Sequence, residues 1–522
     1  MNPAPAPHAE SVEAFVERFG PGYRWYVTTT VMLGTIATVL TSTIVNVALP
    51  NIMGAFGMGQ DHAQLLATGF LGAMTATMLA NSWMVDSFGQ RPTFTMALVV
   101  FLVASVIGGL APNEGVLILA RVLQGGAAGI LQPLAMLVIF EVFPPNRRGT
   151  AMGIYGIGVV LAPALGPTLG GIMVDNFSWR DVFFMPVPFG LLGLFLSRIF
   201  MRGRSTLAPR RPFDWIGLGL LSLFLFTLLY GLSNGPRQGW RSDGIVLVFM
   251  LALFAFVGFL FWELRTHAPL IDMRLFVNPT FAGAAMLAFI FGAGIFGSTY
   301  IAPLFVQTVQ GYTATRAGLL LMPGGFILAI VFPLAGRLSD GIPPRVPVMF
   351  GLCVFAYSFL LMRTADTNTA FFDMAWWLVI GRIGLGFIMP GLNAGALQAL
   401  PVHLVAQGSG AINFVRQFGG ALGVNLLSIT IESRTHIYTQ AFAAAQNPAN
   451  SSTSALLRGV RELLARTGVP DAIQQAGALN YLGRVVYAQG HMLAYRDGFL
   501  ILAATFIIGL VPAYLMRDPQ RR

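Results

Sequence analysis

The chain has 522 residues, of which 55% are hydrophobic and only 10% charged, and its formal net charge is +10. So little charge spread over so long a chain excludes an ordinary water-soluble domain, and the basic excess reads as membrane topology rather than as a nucleic-acid surface. Lysine does not occur, and the single cysteine, Cys353, lies in an apolar segment, so no disulfide framework is available.

Residues 1–24 are polar and contain proline; they lack the basic start, short apolar core and small-residue cleavage pattern of a removable signal. Val12, Phe15, Val16 and Phe19 recur at helical spacing, so residues 11–19 read as a short amphipathic helix on the membrane surface, with a plain tail as the alternative. Fourteen apolar stretches follow: 25–49, 63–85, 93–111, 115–140, 149–173, 182–201, 213–232, 243–263, 280–305, 316–336, 346–362, 373–395, 406–432 and 496–516. A span takes about 20 apolar residues. Runs this long and unbroken must be helices, because a backbone in hydrocarbon has to satisfy its own hydrogen bonds.

The arginines support an even number of spans with both termini in the cytoplasm. Arg147 and Arg148, Arg202 to Arg211, Arg265 and Arg274, Arg337 and Arg345, and Arg517 to Arg522 all fall in connections on one side. The seventh and eighth spans carry almost no polar side chain and suit a peripheral, linking pair. Arg121, Gly125 and Pro133 in the fourth span echo Arg382, Gly386 and Pro390 in the twelfth, and Asp86 to Arg91 echo Gly336 to Gly341. Two six-helix bundles with a helical pair between them explain both echoes. The expected fold is therefore all-α and polytopic. It comprises an N-terminal tail (1–24), a six-helix bundle (25–201), a linker with two extra spans (202–279), a second bundle (280–516) and a short cytoplasmic tail (517–522). Residues 433–495 form an outer helical loop within the second bundle. In that loop Leu456, Leu457, Val460, Leu463 and Leu464 share one face, Gly468 and Pro470 interrupt, and Asp471 is an apt N-cap for a second helix toward Gln489.

Arg121 is costly inside a span unless it finds a partner; Gln124 shares its face and Glu114 lies two turns away. It either ties helices together or relays protons and conformational change, and the two roles are compatible. In the fifth span Gly153, Gly156, Gly166 and Gly170 allow close helix approach, while Pro163 and Pro167 favour bending. Asp86 and Arg91, with Asp340 in the second half, are expected to gate the inner side. Polar groups in apolar helices, namely Asn46, Gln124, Gln132, Tyr300, Gln307, Asn393, Asn413 and Gln417, are the candidate substrate contacts, with Phe296, Met322 and Met389 as adaptable apolar neighbours. No phosphate-binding loop and no convergent catalytic cluster is present, so neither an enzyme nor an ATP-driven pump is expected, and no cofactor.

Thr43 to Pro50, Asp86 to Arg91, Arg121 to Gly125 and the segment ending Pro167 to Gly171 together resemble the major facilitator superfamily, and more closely its fourteen-span drug:proton antiporters of the EmrB type. The outer loop and its exit through Gln489, Met492, Tyr495, Asp497 and Phe499 are similar to that type as well. The resemblance covers nearly the whole chain. It implies proton-driven export of hydrophobic or amphipathic compounds such as drugs, uncouplers or fatty acids from a bacterial inner membrane, beside a periplasmic membrane-fusion adaptor and an outer-membrane channel. An uptake symporter or an uncoupled facilitator is the alternative. One position departs from the pattern: the family usually has an aspartate where this chain has Thr41, and threonine cannot cycle a proton near neutral pH. Glu432 is the first expected substitute, with Glu114 and His436 behind it.

Overall fold

Among the described residues the chain folds into helices alone, as hydrocarbon requires of a backbone that must satisfy its own polar groups. The computed structural model describes residues 12–203, 212–447 and 450–516. The short helix α1 (Val12–Phe19) precedes α2 (Tyr23–Phe56). Val12, Phe15, Val16 and Phe19 all pack against the core, with Phe15 and Phe19 stacked near Tyr23, so the amphipathic helix forms.

The first bundle continues with α3 (Gln60–Thr77), α4 (Ala80–Phe88), α5 (Gln90–Gly109), α6 (Glu114–Val142), α7 (Arg148–Asn176), α8 (Asp181–Phe184) and α9 (Val187–Phe200). Two helices, α10 (Trp215–Gln238) and α11 (Asp243–Glu263), pack on each other and flank the rest. The second bundle comprises α12 (Pro279–Thr308), α13 (Ala314–Gly341), α14 (Arg345–Met362), α15 (Phe371–Gln398), α16 (Val405–Ala444), α17 (Ser451–Arg466), α18 (Asp471–Ile508) and α19 (Leu510–Leu515). Several starts are fixed by side-chain caps: Asn113 accepts from Val116 N, Asp214 from Gly217 N, Asn278 from Thr280 N and Thr313 from Arg316 N.

Among the described residues twelve helices are long and apolar enough to cross a membrane, and thirteen if α3 and α4 count as one span bent by 56°. The remaining expected segment, 149–173, coincides with α7. Each of the fourteen sequence segments thus falls on a helix. The linking pair is peripheral: on α11, Leu247, Leu253, Phe254, Val257 and Phe261 are all exposed, as lipid-facing side chains are.

The outer segment is helical, with its expected helices present as α17 and the start of α18; α16 has 40 residues and α18 has 38, so both are continuous and longer than a span needs, and α17 packs on α18. A 40-residue helix is about 60 Å long, twice the hydrocarbon thickness. Asp471 occupies the first helical position rather than the cap, which is Pro470. Gly468, at φ +79°, makes the turn that separates α17 from α18.

Candidate functional site: the seam between the bundles

The face at which α2 begins is called proximal, and the opposite one distal. Helix α7 changes partner along its length. In its proximal half a Cβ on Gly149 would sit 2.5 Å from Gly336 O of α13, and one on Gly153 would overlap Phe332 O; in its distal half Gly166 and Gly170 instead face Thr43 and Ile44 of α2. Backbone-to-backbone approach of this kind is open only to glycine. The glycine-rich span is therefore a seam helix, bound to the opposite bundle proximally and to its own bundle distally. Gly156 continues the seam against the Phe332 ring. The side chains of Asn46, Pro163 and Pro167 lie outside the described residues, as do Arg204, Arg210, Arg211, Arg517, Arg521 and Arg522.

Asp340 locks this seam. Its carboxylate accepts from Gly149 N at 2.6 Å, from Thr150 N at 3.0 Å and from Thr150 Oγ1. A carboxylate on the unsatisfied N–H groups at the start of α7 is favoured by hydrogen bonding and by the helix dipole together. The gating assignment of Asp340 thus acquires a partner that the sequence did not name. Its first-half counterpart is different: Asp86 lies on α4, which packs on α16, while Arg91 N donates to Arg202 O. A second proximal cluster, absent from the sequence reading, has Arg202 Nη2 on Glu141 Oε2 at 2.6 Å with Gln90 donating to the same carboxylate. Glu141 and Arg202 are 61 residues apart, beyond the reach of any spacing rule.

Deeper along the seam the bundles meet through Tyr155, Asn413 and Arg416. Tyr155 Oη donates to Asn413 Oδ1 at 3.0 Å, Arg416 Nη2 donates to the same oxygen, and Asn413 Nδ2 reaches Met136 Sδ of the first bundle. Gln132 lies beside them, its carbonyl receiving Tyr155 Oη. Arg416 is buried, and its Nη1 has no hydrogen-bond partner among the described residues. Asn393, fully buried, likewise has both amide atoms unpartnered. The hydrogen bonds that join the bundles through Asp340, Tyr155 and Asn413 all lie in this proximal half. The protein is therefore closed on the proximal side.

Arg121 is fully buried and held by neutral groups through Nε and Nη1, while its Nη2 has no hydrogen-bond partner among the described residues. Nε donates to Leu66 O at 3.0 Å, Nη1 to Thr41 O at 3.3 Å and to Gln124 Oε1 at 3.1 Å, and the guanidinium lies 4.2 Å from the Phe70 ring centroid. Gln124 in turn donates to Ser105. The suggested pairing of Arg121 with Glu114 does not form: Glu114 instead sits 3.4 Å from His62 at the distal end. Thr41 contributes its carbonyl, while its hydroxyl donates to Ala37 O within its own helix.

The expected proton carriers fare poorly in this geometry. Glu432 and His436 are exposed on the distal part of α16, and the neighbouring Arg434 pairs with Asp497 at 3.6 Å. Of the other substrate candidates, Tyr300 donates to Ser428 Oγ at 3.2 Å, Gln307 turns back to Pro303 O, and Gln417 is buried one position from Arg416. The residues that sequence reasoning missed are Tyr155, Arg416 and Thr150. Arg416 in an otherwise apolar helix was the available signal, being the same costly intramembrane charge as Arg121.

The sequence model of the Major Facilitator Superfamily matches residues 31–424. Multidrug export protein EmrB of Haemophilus influenzae is 30% identical, over 93% of this chain and 94% of that protein. Fatty acid resistance protein FarB of Neisseria gonorrhoeae is 28% identical, over 96% of this chain and 97% of that protein. The crystal structure of the human organic anion transporter MFSD10 superposes with a TM-score of 0.60 at 14% identity, covering 95% of this chain and 99% of that one. The chain belongs to the major facilitator superfamily, is akin to its multidrug-export members, and is a multi-pass transporter of small molecules rather than an enzyme.

Proposed function

We propose that this protein exports hydrophobic or amphipathic compounds from the cytoplasmic side of a bacterial inner membrane by alternating access, driven by proton re-entry, as the pump beside a periplasmic adaptor and an outer-membrane channel. In this reading the proximal face is cytoplasmic, both termini lie there, and the structure corresponds to the outward-facing half of the cycle. The observation that carries alternation is the Asp340 latch on Gly149 and Thr150: a hydrogen-bonded lock between the bundles at one face only is what a rocking transporter has to make and break. The names of the multidrug-export and fatty-acid-resistance relatives support the substrate class.

The charge of the core narrows that class. Among the described residues, the charged side chains most deeply buried in the two bundles are Arg121, Arg382 and Arg416, and no carboxylate is comparably buried there. A desolvated guanidinium with a free N–H seeks an anion. A carboxylate-bearing amphipath, a fatty acid for example, would complete the hydrogen bonding of Arg416. Flux of a radiolabelled long-chain fatty acid and of protons in sealed proteoliposomes, under imposed gradients of either direction, tests the proposal. Substrate-dependent proton counterflow supports it, and substrate movement with no proton flux rejects the coupling.

The missing buried carboxylate also favours a second reading, an uncoupled facilitator, because proton coupling needs a group that titrates in the path. The same proton-flux arm separates the two.

A further inference from the structure

Away from the seam, a cavity of about 840 Å³ opens at the proximal face between the end of α4, the linking pair α10 and α11, residues 264–274 and the approach to α16. Sites for drug-sized molecules have volumes of roughly 300–1,000 Å³. Among the described residues around it, the carboxylates Asp86, Asp214, Glu263 and Asp272 face one arginine, Arg274, with His267 and His403 the remaining titratable groups. Among the described lining residues carboxylates outnumber arginines.

Two of these carboxylates are built into the wall. Asp214 is 8% exposed and Glu263 4%. Asp214 Oδ1 accepts from Gly217 N and from Trp262 Nε1, both at 2.8 Å, and Glu263 Oε2 accepts from Ile271 N at 3.3 Å. Asp214 Oδ2 and Glu263 Oε1 have no hydrogen-bond partner among the described residues. These two oxygens converge on one point above Gly217: a Cβ there would lie 2.9 Å from Glu263 Oε1 and closer still to Asp214 Oδ2. A buried acceptor left unsatisfied costs about 1–3 kcal/mol, more when charged. Two such acceptors side by side match a positive group carrying more than one N–H.

Beside them Trp83 and Phe213 form an aromatic wall, with ring centroids 4.7 Å apart. Such a wall takes up hydrocarbon and attracts a cation to its faces. Among the described residues no three His, Cys, Asp or Glu side chains converge as a metal site.

We propose that this cavity binds the ammonium group of a primary or secondary amphipathic amine, with Asp214 Oδ2 and Glu263 Oε1 accepting from its N–H groups and the Trp83–Phe213 wall covering the carbons beside the nitrogen. The site belongs to the linking pair and does not depend on the direction, coupling or cargo of transport through the seam. A free amine and the headgroup of an aminophospholipid share this chemistry.

The test uses the full-length protein in nanodiscs of phosphatidylcholine and phosphatidylglycerol, with radiolabelled dodecylamine as the probe and empty nanodiscs subtracted. Asp214→Asn with Glu263→Gln, which keeps the α10 cap, is expected to weaken dodecylamine binding by about tenfold or more, the worth of one charge-assisted contact. Dodecyltrimethylammonium, which lacks an N–H, is expected to compete at least about tenfold more weakly than unlabelled dodecylamine. Equal binding by the wild type and a double variant with an unchanged thermal unfolding midpoint overturns the proposal; so does equal competition by the quaternary amine in the wild type, an arm that needs no variant. Adding phosphatidylethanolamine distinguishes the sources within the proposal: displacement of dodecylamine identifies the headgroup as an occupant, and no displacement identifies a free amine.

Discussion

The bundles and the pair of helices between them bury opposite charges. Along the bundle cores the deeply buried ions are Arg121, Arg382 and Arg416, whereas at the foot of the linking pair they are Asp214 and Glu263. Taking a charge out of water costs several kcal/mol unless hydrogen bonds replace the lost hydration, so neither set is incidental. The two also differ in their partners. Arg121 spends most of its N–H groups on backbone carbonyls and Gln124, and so holds helices together, although its Nη2, like one atom each of Arg416, Asp214 and Glu263, has no hydrogen-bond partner among the described residues. A buried charge held on three sides by neighbouring helices is foremost a structural tie; one with fewer such ties is foremost a place for a ligand of opposite sign.

The largest expected effect comes from destroying the seam that brings the bundle charges together. Gly153→Val places a branched side chain against Phe332 O, so the proximal side should no longer close and substrate flux should fall to background. The check is flux together with maleimide labelling of Ser339→Cys in a Cys353→Ser background: Ser339 is buried at the latch and should become reactive. Arg416→Ala comes next, with flux of an anionic amphipath reduced at least about tenfold for the loss of one charge-assisted contact and Arg416→Lys recovering part of it. Arg121→Ala should also impair transport with the protein still inserted. Because Arg121 mainly ties helices, its variant should lower the thermal unfolding midpoint as well, which Arg416→Ala should do less; equal destabilisation would erase the contrast drawn between them.

Asp340→Asn is a smaller change. It keeps an acceptor on α7 but removes the charge, worth about 0.3–1 kcal/mol at a helix N-terminus, so labelling at Ser339→Cys should rise a few-fold with transport retained. Thr41→Asp sharpens the comparison by adding a carboxylate beside the carbonyl that holds Arg121; the pH dependence of transport should then change. Smallest of all, Glu432→Gln should leave proton flux unaltered, because Glu432 is exposed.

Much of this architecture was legible in the sequence, for reasons that differ by feature. Hydropathy alone fixes spans, because hydrocarbon leaves helices no competitor, and each of the fourteen segments falls on a helix. Pattern reading also reached the peripheral linking pair, and it named Gly153 and Asp340, which the structure places at the contact between α7 and α13. It failed where partners are set by packing between distant segments: Tyr155 and Asn413 are 258 residues apart, and Asp340 and Gly149 are 191 apart. Glu114 was assigned to Arg121 by helical periodicity, but the carbonyls of two neighbouring helices reach the guanidinium instead. In the outer segment both expected helices were legible, at α17 and the start of α18; that α16 and α18 each run on without a break was not, because polar residues at their ends resemble loop composition.

The most direct test of the account is flux through the latched seam as a function of substrate charge. Dodecanoate, dodecanol and dodecylamine are to be compared in proteoliposomes bearing wild-type protein or Arg416→Ala. The account predicts that dodecanoate is moved fastest by the wild type and loses the most in Arg416→Ala; equal flux of all three, unaffected by that substitution, would contradict it.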